Sequence, residues 1–166
     1  MNYFMACPEP GMGTWYFEVD AEGVAYRQIV VEEDGSWVTS NQKHEQYHFM
    51  LAEHPIDLDD PYYENIAKTQ FEELWSRSLQ ATMEKWQKIK SILPVGMKIE
   101  GEIEAFFPQG TLVNLFKQQA VGLADTAELS KTSPPEKMYP RHKLTATVKG
   151  YDEVNQWVVL EHAYMV

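Results

Sequence analysis

Gly96-Met97-Lys98-Ile99-Glu100-Gly101-Glu102-Ile103-Glu104-Ala105-Phe106 alternates apolar and charged residues with a period of two, the pattern of a strand with one face in a core and the other in water. Met97, Ile99 and Ile103 are expected to face inward. Pro108-Gln109-Gly110 then punctuates the chain, and Thr111-Leu112-Val113-Asn114-Leu115-Phe116 follows as a β-rich run that folds back on the first as a hairpin. Ala120-Val121-Gly122-Leu123-Ala124 is a third run and leads into Asp125-Thr126-Ala127-Glu128-Leu129-Ser130. Leu144-Thr145-Ala146-Thr147-Val148-Lys149-Gly150 is a fourth, and Trp157-Val158-Val159-Leu160, reached through Asp152-Glu153-Val154-Asn155, is a fifth. Five short strands between Pro94 and Val166 predict a closed barrel.

Upstream of Pro94 the pattern changes. Trp15-Tyr16-Phe17-Glu18-Val19-Asp20, a turn at Ala21-Glu22-Gly23, and Val24-Ala25-Tyr26-Arg27-Gln28-Ile29-Val30-Val31 form a hairpin signal. A second turn at Glu33-Asp34-Gly35 leads to Trp37-Val38-Thr39, so an antiparallel β-meander of three strands is expected. Asp60 before Pro61 has the form of a helix N-cap. Phe71, Leu74, Trp75, Leu79, Met83, Trp86 and Ile89 recur at intervals of three and four, which predicts one long helix over about 69–92 with Trp75 and Trp86 in the core. Thr69-Gln70-Phe71-Glu72 reads as its capping box, and Pro94 stops it. The fold class is therefore α+β: a meander with one long helix over 1–93, then a five-stranded barrel over 94–166. Leu93-Pro94-Val95-Gly96 is a short connector, which predicts that the two domains share an interface.

A chain of 166 residues with 44% apolar composition has enough material for packed cores. No run approaches the roughly 20 apolar residues of a membrane span, and the amino terminus has neither a basic region nor a continuous apolar stretch, so a cytoplasmic protein without a membrane partner is expected. Cys7, the single cysteine, cannot form an internal disulfide and reads as a plain thiol near a loose end. The net charge of −11 is uneven: 94–166 holds 7 basic against 9 acidic residues, a net −2, and 1–93 carries the other −9. Within the barrel, Lys137, Arg141, His142, Lys143 and Lys149 cluster beside Met138, Tyr139 and Tyr151. Lys143 and Lys149 read first as the solvated face of a strand and second as a binding patch.

The order Gly101-Glu102-Ile103, a Gly-led strand at Gly110, Gly122-Leu123 before Ala127-Glu128-Leu129-Ser130, and Asp152 five residues before Trp157-Val158-Val159-Leu160 resembles the S1 family of OB-fold domains. The resemblance implies a surface for single-stranded RNA, with aromatic rings stacked on bases and basic residues along the phosphates. The chain departs from the family at several of those positions. Gln109 and Leu112 stand where stacking aromatics are usual, Asp125 where a His is usual, and Trp157 where an Arg follows the Asp-containing turn. The candidate nucleic-acid-binding residues are accordingly Phe107, Arg141, Lys143, Lys149, Tyr151 and Trp157.

Phe17-Glu18-Val19-Asp20, Ala25-Tyr26-Arg27-Gln28-Ile29, Leu51-Ala52-Glu53, Ile56-Asp57 and Phe71-Glu72-Glu73-Leu74-Trp75 loosely resemble small uncharacterised bacterial domains, some found near toxin and immunity genes. That resemblance implies a non-catalytic role in which an acidic protein caps a basic partner. His44-Glu45-Gln46-Tyr47-His48 is a literal H-E-x-x-H. On a helix its two His would share a face and hold Zn²⁺, with Glu45 as base and Glu72 or Glu73 as third ligand. The polar Ser40-Asn41-Gln42-Lys43 before it and Pro55 after it favour a surface stretch instead, with a small zinc hydrolase as the alternative. Asp57-Leu58-Asp59-Asp60 lacks the turn Gly and terminal Glu of a calcium loop. The chain shows neither a nucleophile motif nor a Gly-rich phosphate loop, so the expectation is a non-enzymatic binding protein without a cofactor, whose ligand is RNA or other single-stranded nucleic acid, or a protein partner. Tyr62 and Tyr63 leave a dimer open.

Overall fold

The hairpin signals around Gly23 and Gly35 build the centre of a sheet, in a computed structural model that describes every residue except Pro8 and Tyr47. Its strands are β1 (Asn2–Ala6), β2 (Thr14–Val19), β3 (Ala25–Val31), β4 (Trp37–Thr39) and β5 (Glu64–Asn65), in the order β4-β3-β2-β1-β5 with all pairings antiparallel. β2, β3 and β4 are the expected meander. β1 corrects the expected loose end: it is an interior strand, and Cys7 follows it as an exposed thiol 3.7 Å from Thr14 Oγ1.

Period-two alternation gives this sheet two apolar faces. One face presents Tyr3 and Ile29 to Phe71 and Trp75 of α1 (Lys68–Gln80). The other presents Phe4, Ala6, Phe17, Val19 and Ala25, with Ile56 packed on them. On the helix side Arg27 is buried, and such a charge is tolerable only when it is paired and hydrogen-bonded. Its Nε and one terminal nitrogen donate to Glu18 at 2.9 and 2.6 Å, its other terminal nitrogen donates to Glu72 at 3.3 Å, and its guanidinium lies 5.0 Å from the ring centroids of Phe71 and Trp75. Tyr3 Oη donates to Glu18 at 3.0 Å. Burial, then the bond to Glu18, pushes the Tyr3 phenol up to about 12. Burial pushes the Glu18 carboxyl up as well, but the hydrogen bonds and charge of Arg27 outweigh it and hold Glu18 below its ordinary range.

The single long helix expected over 69–92 is two helices, α1 and α2 (Met83–Ile92). Thr82 leaves helical geometry at φ −116° and ψ 6°, and its hydroxyl donates to Gln156 Oε1 at 2.6 Å. The division between the two compact units of the chain falls at this break, giving 1–81 and 82–166. The apolar stripe therefore serves two cores: Phe71 and Trp75 fill the first, and Trp86, Ile89 and Leu93 the second. The start of α1 also differs from expectation. No side chain caps Ala67, whose N–H instead donates to Gln70 Oε1 at 2.8 Å, and Asp60 stabilises a turn through Tyr62 N rather than a helix.

The second unit is a closed barrel of β6 (Lys98–Phe107), β7 (Gly110–Leu115), β8 (Ala120–Ala124), β9 (Lys143–Asp152) and β10 (Trp157–Met165). The order β10-β8-β7-β6-β9, antiparallel except for the β8–β10 pair, with α3 (Thr126–Thr132) between β8 and β9, is that of an OB fold. Ile99 and Ile103 face the core as expected, whereas Met97 precedes the strand and is exposed. Gly101 has no room for a side chain: a Cβ there would fall 2.6 Å from Val113 Cγ1 and 2.8 Å from Asn114 O. Gly110 opens β7 at φ 151°, in the region that favours glycine. α2 is tied to the barrel by Trp86, which meets Tyr151 edge-on at 6.0 Å and donates to Glu153, and by Tyr151 Oη donating to Leu93 O at 2.7 Å.

Arg27→Ala leaves the buried Glu18 without its cationic partner and is expected to destabilise the protein by roughly 3–5 kcal/mol in urea titrations; a loss below about 1 kcal/mol would show the network to be dispensable. Because the folded value of Glu18 is depressed, its contribution is present above pH 4.5 and is lost as pH falls through that lower value. Glu18→Gln should therefore flatten the pH dependence of stability on the acid side of 4.5.

Candidate functional site

The six candidate residues on the barrel do not converge. Lys143 opens β9 opposite Glu102, whereas Trp157 pairs with Asp152 at the other end of the same strand. Nine residue steps of strand separate those ends, about 30 Å of extended chain. Trp157 is 1% exposed and meets Phe107 edge-on at 6.0 Å, so its indole offers no open ring to a base. Phe107 is half-buried at the end of β6. Tyr151, also half-buried, spends its hydroxyl on Leu93 O, with Lys90 O at 3.3 Å, and serves to seat α2. Lys149 is exposed on β9, nearer to Tyr151 than to Lys143 in the strand.

Leu112 and Asp125, two of the four positions at which the chain departs from the S1 pattern, have structural roles. Leu112 is fully buried in β7, and Asp125 caps α3 by accepting from Glu128 N at 3.0 Å. Gln109 lies partly buried in the tight turn between β6 and β7.

A different set gathers around the start of β9. Arg141 has a left-handed backbone at φ 73° that lets its N–H donate to Ile103 O at 2.7 Å, while His142 O accepts from Ile103 N at 3.0 Å. These two bonds pin the segment to the middle of β6 and leave the side chains of Arg141, His142 and Lys143 exposed. Tyr139 stands beside His142, with ring centroids 6.0 Å apart, and is 55% exposed. On β10, Tyr164 lies opposite Thr145, two residues along β9 from Lys143 and diagonal to it on the outer face; it is 56% exposed. Tyr164 escaped the sequence reading because β10 was expected to end at Leu160, and only the barrel register brings it to Lys143.

Charge follows the structural division more sharply than the sequence reading implied. Residues 1–81 hold 15 acidic against 4 basic side chains, a net −11, and residues 82–166 hold ten of each. Moving α2 into the barrel unit, with Lys85, Lys88 and Lys90 against Glu84, makes that unit neutral.

The H-E-x-x-H segment is not helical, and its Tyr47 lies outside the described residues. His44 and His48 face each other across a tight turn, exchanging backbone hydrogen bonds of 2.8 and 2.9 Å, with His48 at φ 51°. His44 Nε2 already accepts from Thr39 N at 3.2 Å. Glu72 is engaged by Arg27, and Glu73 pairs with Arg77 at 3.2 Å. Among the described residues no group of three or more His, Cys, Asp and Glu is placed to hold a metal ion. His44 and His48 are thus paired through their backbones and do not share the helix face on which an H-E-x-x-H motif holds zinc.

No protein-family model matches the chain, and no curated protein matches it. Among solved structures it is similar to an apo form of RNase R from Mycoplasma genitalium, at 13% identity and a TM-score of 0.39 over 54% of this chain and 16% of that one. It is also similar to a multidomain protein with nucleic acid binding domains from Streptococcus pneumoniae, at 13% identity and a TM-score of 0.28 over 96% of this chain and 49% of that one. The chain thus spans less than two thirds of either neighbour. No helix among the described residues is long and apolar enough to cross a membrane.

With His44 Nε2 occupied and the turn non-helical, protein purified without chelator is expected to carry no stoichiometric zinc by elemental analysis, and His48→Ala to leave the metal content unchanged. Equimolar zinc lost on His48→Ala would reinstate the metal reading.

Proposed function

We propose that the protein is a non-enzymatic binding protein whose S1-like barrel takes single-stranded RNA at the start of β9 rather than on the family's usual stacking positions. The observation that carries this reading is the exposure of Tyr164 diagonal to Lys143 on the outer face of the barrel, with Tyr139 and Arg141 also exposed just ahead of Lys143 in the chain. Rings of this kind stack on any base, and the cations beside them meet the phosphates. The neutral barrel unit is also the half of the chain that a polyanion can approach, since the other half carries −11. Glu102 opposite Lys143 tempers the patch and accords with weak, salt-sensitive binding.

A basic protein partner is the second reading, favoured by the concentration of all the excess negative charge in residues 1–81.

Anisotropy of a labelled single-stranded RNA distinguishes the two. Binding at low salt should weaken with a log–log slope of about 0.7 per phosphate contact. Reversing both Arg141 and Lys143 to Glu should abolish it, and Tyr164→Ala should cost about 1–3 kcal/mol. An RNA that stays unbound at low salt, or binding that ignores the double reversal, rejects the nucleic-acid reading and leaves the basic protein.

A further inference from the structure

The sheet face that α1 does not cover opens into a cavity of about 610 Å³ between β1, β2 and the segment 50–63, within the size range of small-molecule sites. Its walls include Trp15, Phe17, Tyr62 and Tyr63, and Asp57 and Asp60 stand among its lining residues. Two ring pairs meet near right angles, Phe17 and Tyr63 at 81° with centroids 5.9 Å apart and Tyr62 and Tyr63 at 90° and 5.1 Å, while Trp15 is tilted at 44° to Phe17 at 6.3 Å. Rings set near right angles form adjoining walls, and the faces of such walls are electron-rich.

The fold holds this arrangement in place. Trp15 Nε1 donates to Met12 O at 3.1 Å, Gln28 Oε1 accepts from Ala52 N at 2.8 Å, and Ile56 N donates to Gly23 O at 2.9 Å, which docks the 50–63 segment onto the β2–β3 hairpin. Asp57 and Asp60 each accept a backbone N–H of their own turn, from Asp59 at 3.0 Å and from Tyr62 at 2.9 Å, so both carboxylates are fixed in position. No lining residue is Lys or Arg. Burial, then Tyr63, Glu9, Cys7 and Asp60, pushes the Tyr62 phenol up.

From this geometry we infer that the cavity binds an organic cation, a quaternary or alkylated ammonium group on an apolar body, between the ring faces and the carboxylates of Asp57 and Asp60. An anion would meet carboxylates without a counter-charge, and a small inorganic ion would have to shed its water onto rings. An alkylated ammonium spreads its charge over methyl groups and loses little hydration there. The site belongs to the amino-terminal unit and does not depend on the nucleic-acid reading of the barrel.

The test uses calorimetry on the intact protein with choline, with its neutral isostere in which carbon replaces the nitrogen, and with a short peptide carrying either trimethyllysine or lysine. Choline should bind about tenfold more tightly than the isostere. Tyr62→Ala, at a position already 45% exposed, and Asp60→Asn should each weaken choline severalfold while circular dichroism stays unchanged. Preference for choline over the peptide assigns the site to a free cation, and preference for the trimethyllysine peptide over its lysine form assigns it to a modified side chain. Equal binding of choline and its isostere, or no binding of choline and of either peptide, overturns the inference without reference to any variant.

Discussion

Arg27 is the constraint on which the amino-terminal unit is built. A guanidinium that is 6% exposed needs two charge partners, and it finds them in Glu18 on the neighbouring strand and Glu72 on α1, with the faces of Phe71 and Trp75 beside it. Those groups come from β2, β3 and α1, so the network ties the three elements together. The helix thereby takes one face of the sheet. The opposite face must be covered by chain without regular structure, and that cover closes over Phe4 and Val19 but leaves a cavity between Trp15, Phe17 and the tyrosines. The cavity is a by-product of which face the charge network claims.

The barrel unit depends in a comparable way on α2. Trp86, Ile89 and Leu93 enter the same core as Ile103, Val113 and Val148, while Gln156 holds Thr82 at the start of the helix, Glu153 holds Trp86, and Tyr151 holds the Leu93 carbonyl at its end. These bonds explain why the helix breaks at Thr82, a residue with little intrinsic power to stop one. The break also separates charge from neutrality, because the cationic α2 goes with the barrel. One half of the molecule is left strongly acidic and the other able to meet a polyanion.

Much of the barrel is legible in the sequence. Its strands alternate cleanly between turn signals, and the Gly residues stand where backbones crowd, as at Gly101. The meander is legible for the same reason. β1 is not, because Asn2-Tyr3-Phe4-Met5-Ala6 packs on both faces and shows no alternation of apolar with polar residues. The break at Thr82 is hidden because Leu79, Met83 and Trp86 keep helical spacing through it, although they serve different cores. The H-E-x-x-H string misleads in the opposite direction: its spacing has chemical meaning only on a helix, and the chain turns there instead.

By itself the sequence determined the fold class, the number and order of the barrel strands, the acidic excess and the types of residue available for binding, because these follow from local periodicity and composition. Tertiary structure alone decided which of those residues meet. Lys143 opens β9 and Trp157, 14 positions later, pairs with Asp152 at its other end, whereas Tyr164 comes diagonal to Lys143 and Tyr63 meets Phe17 only through strand register and loop docking. Proximity of that kind is set by long-range pairing, which no local pattern encodes.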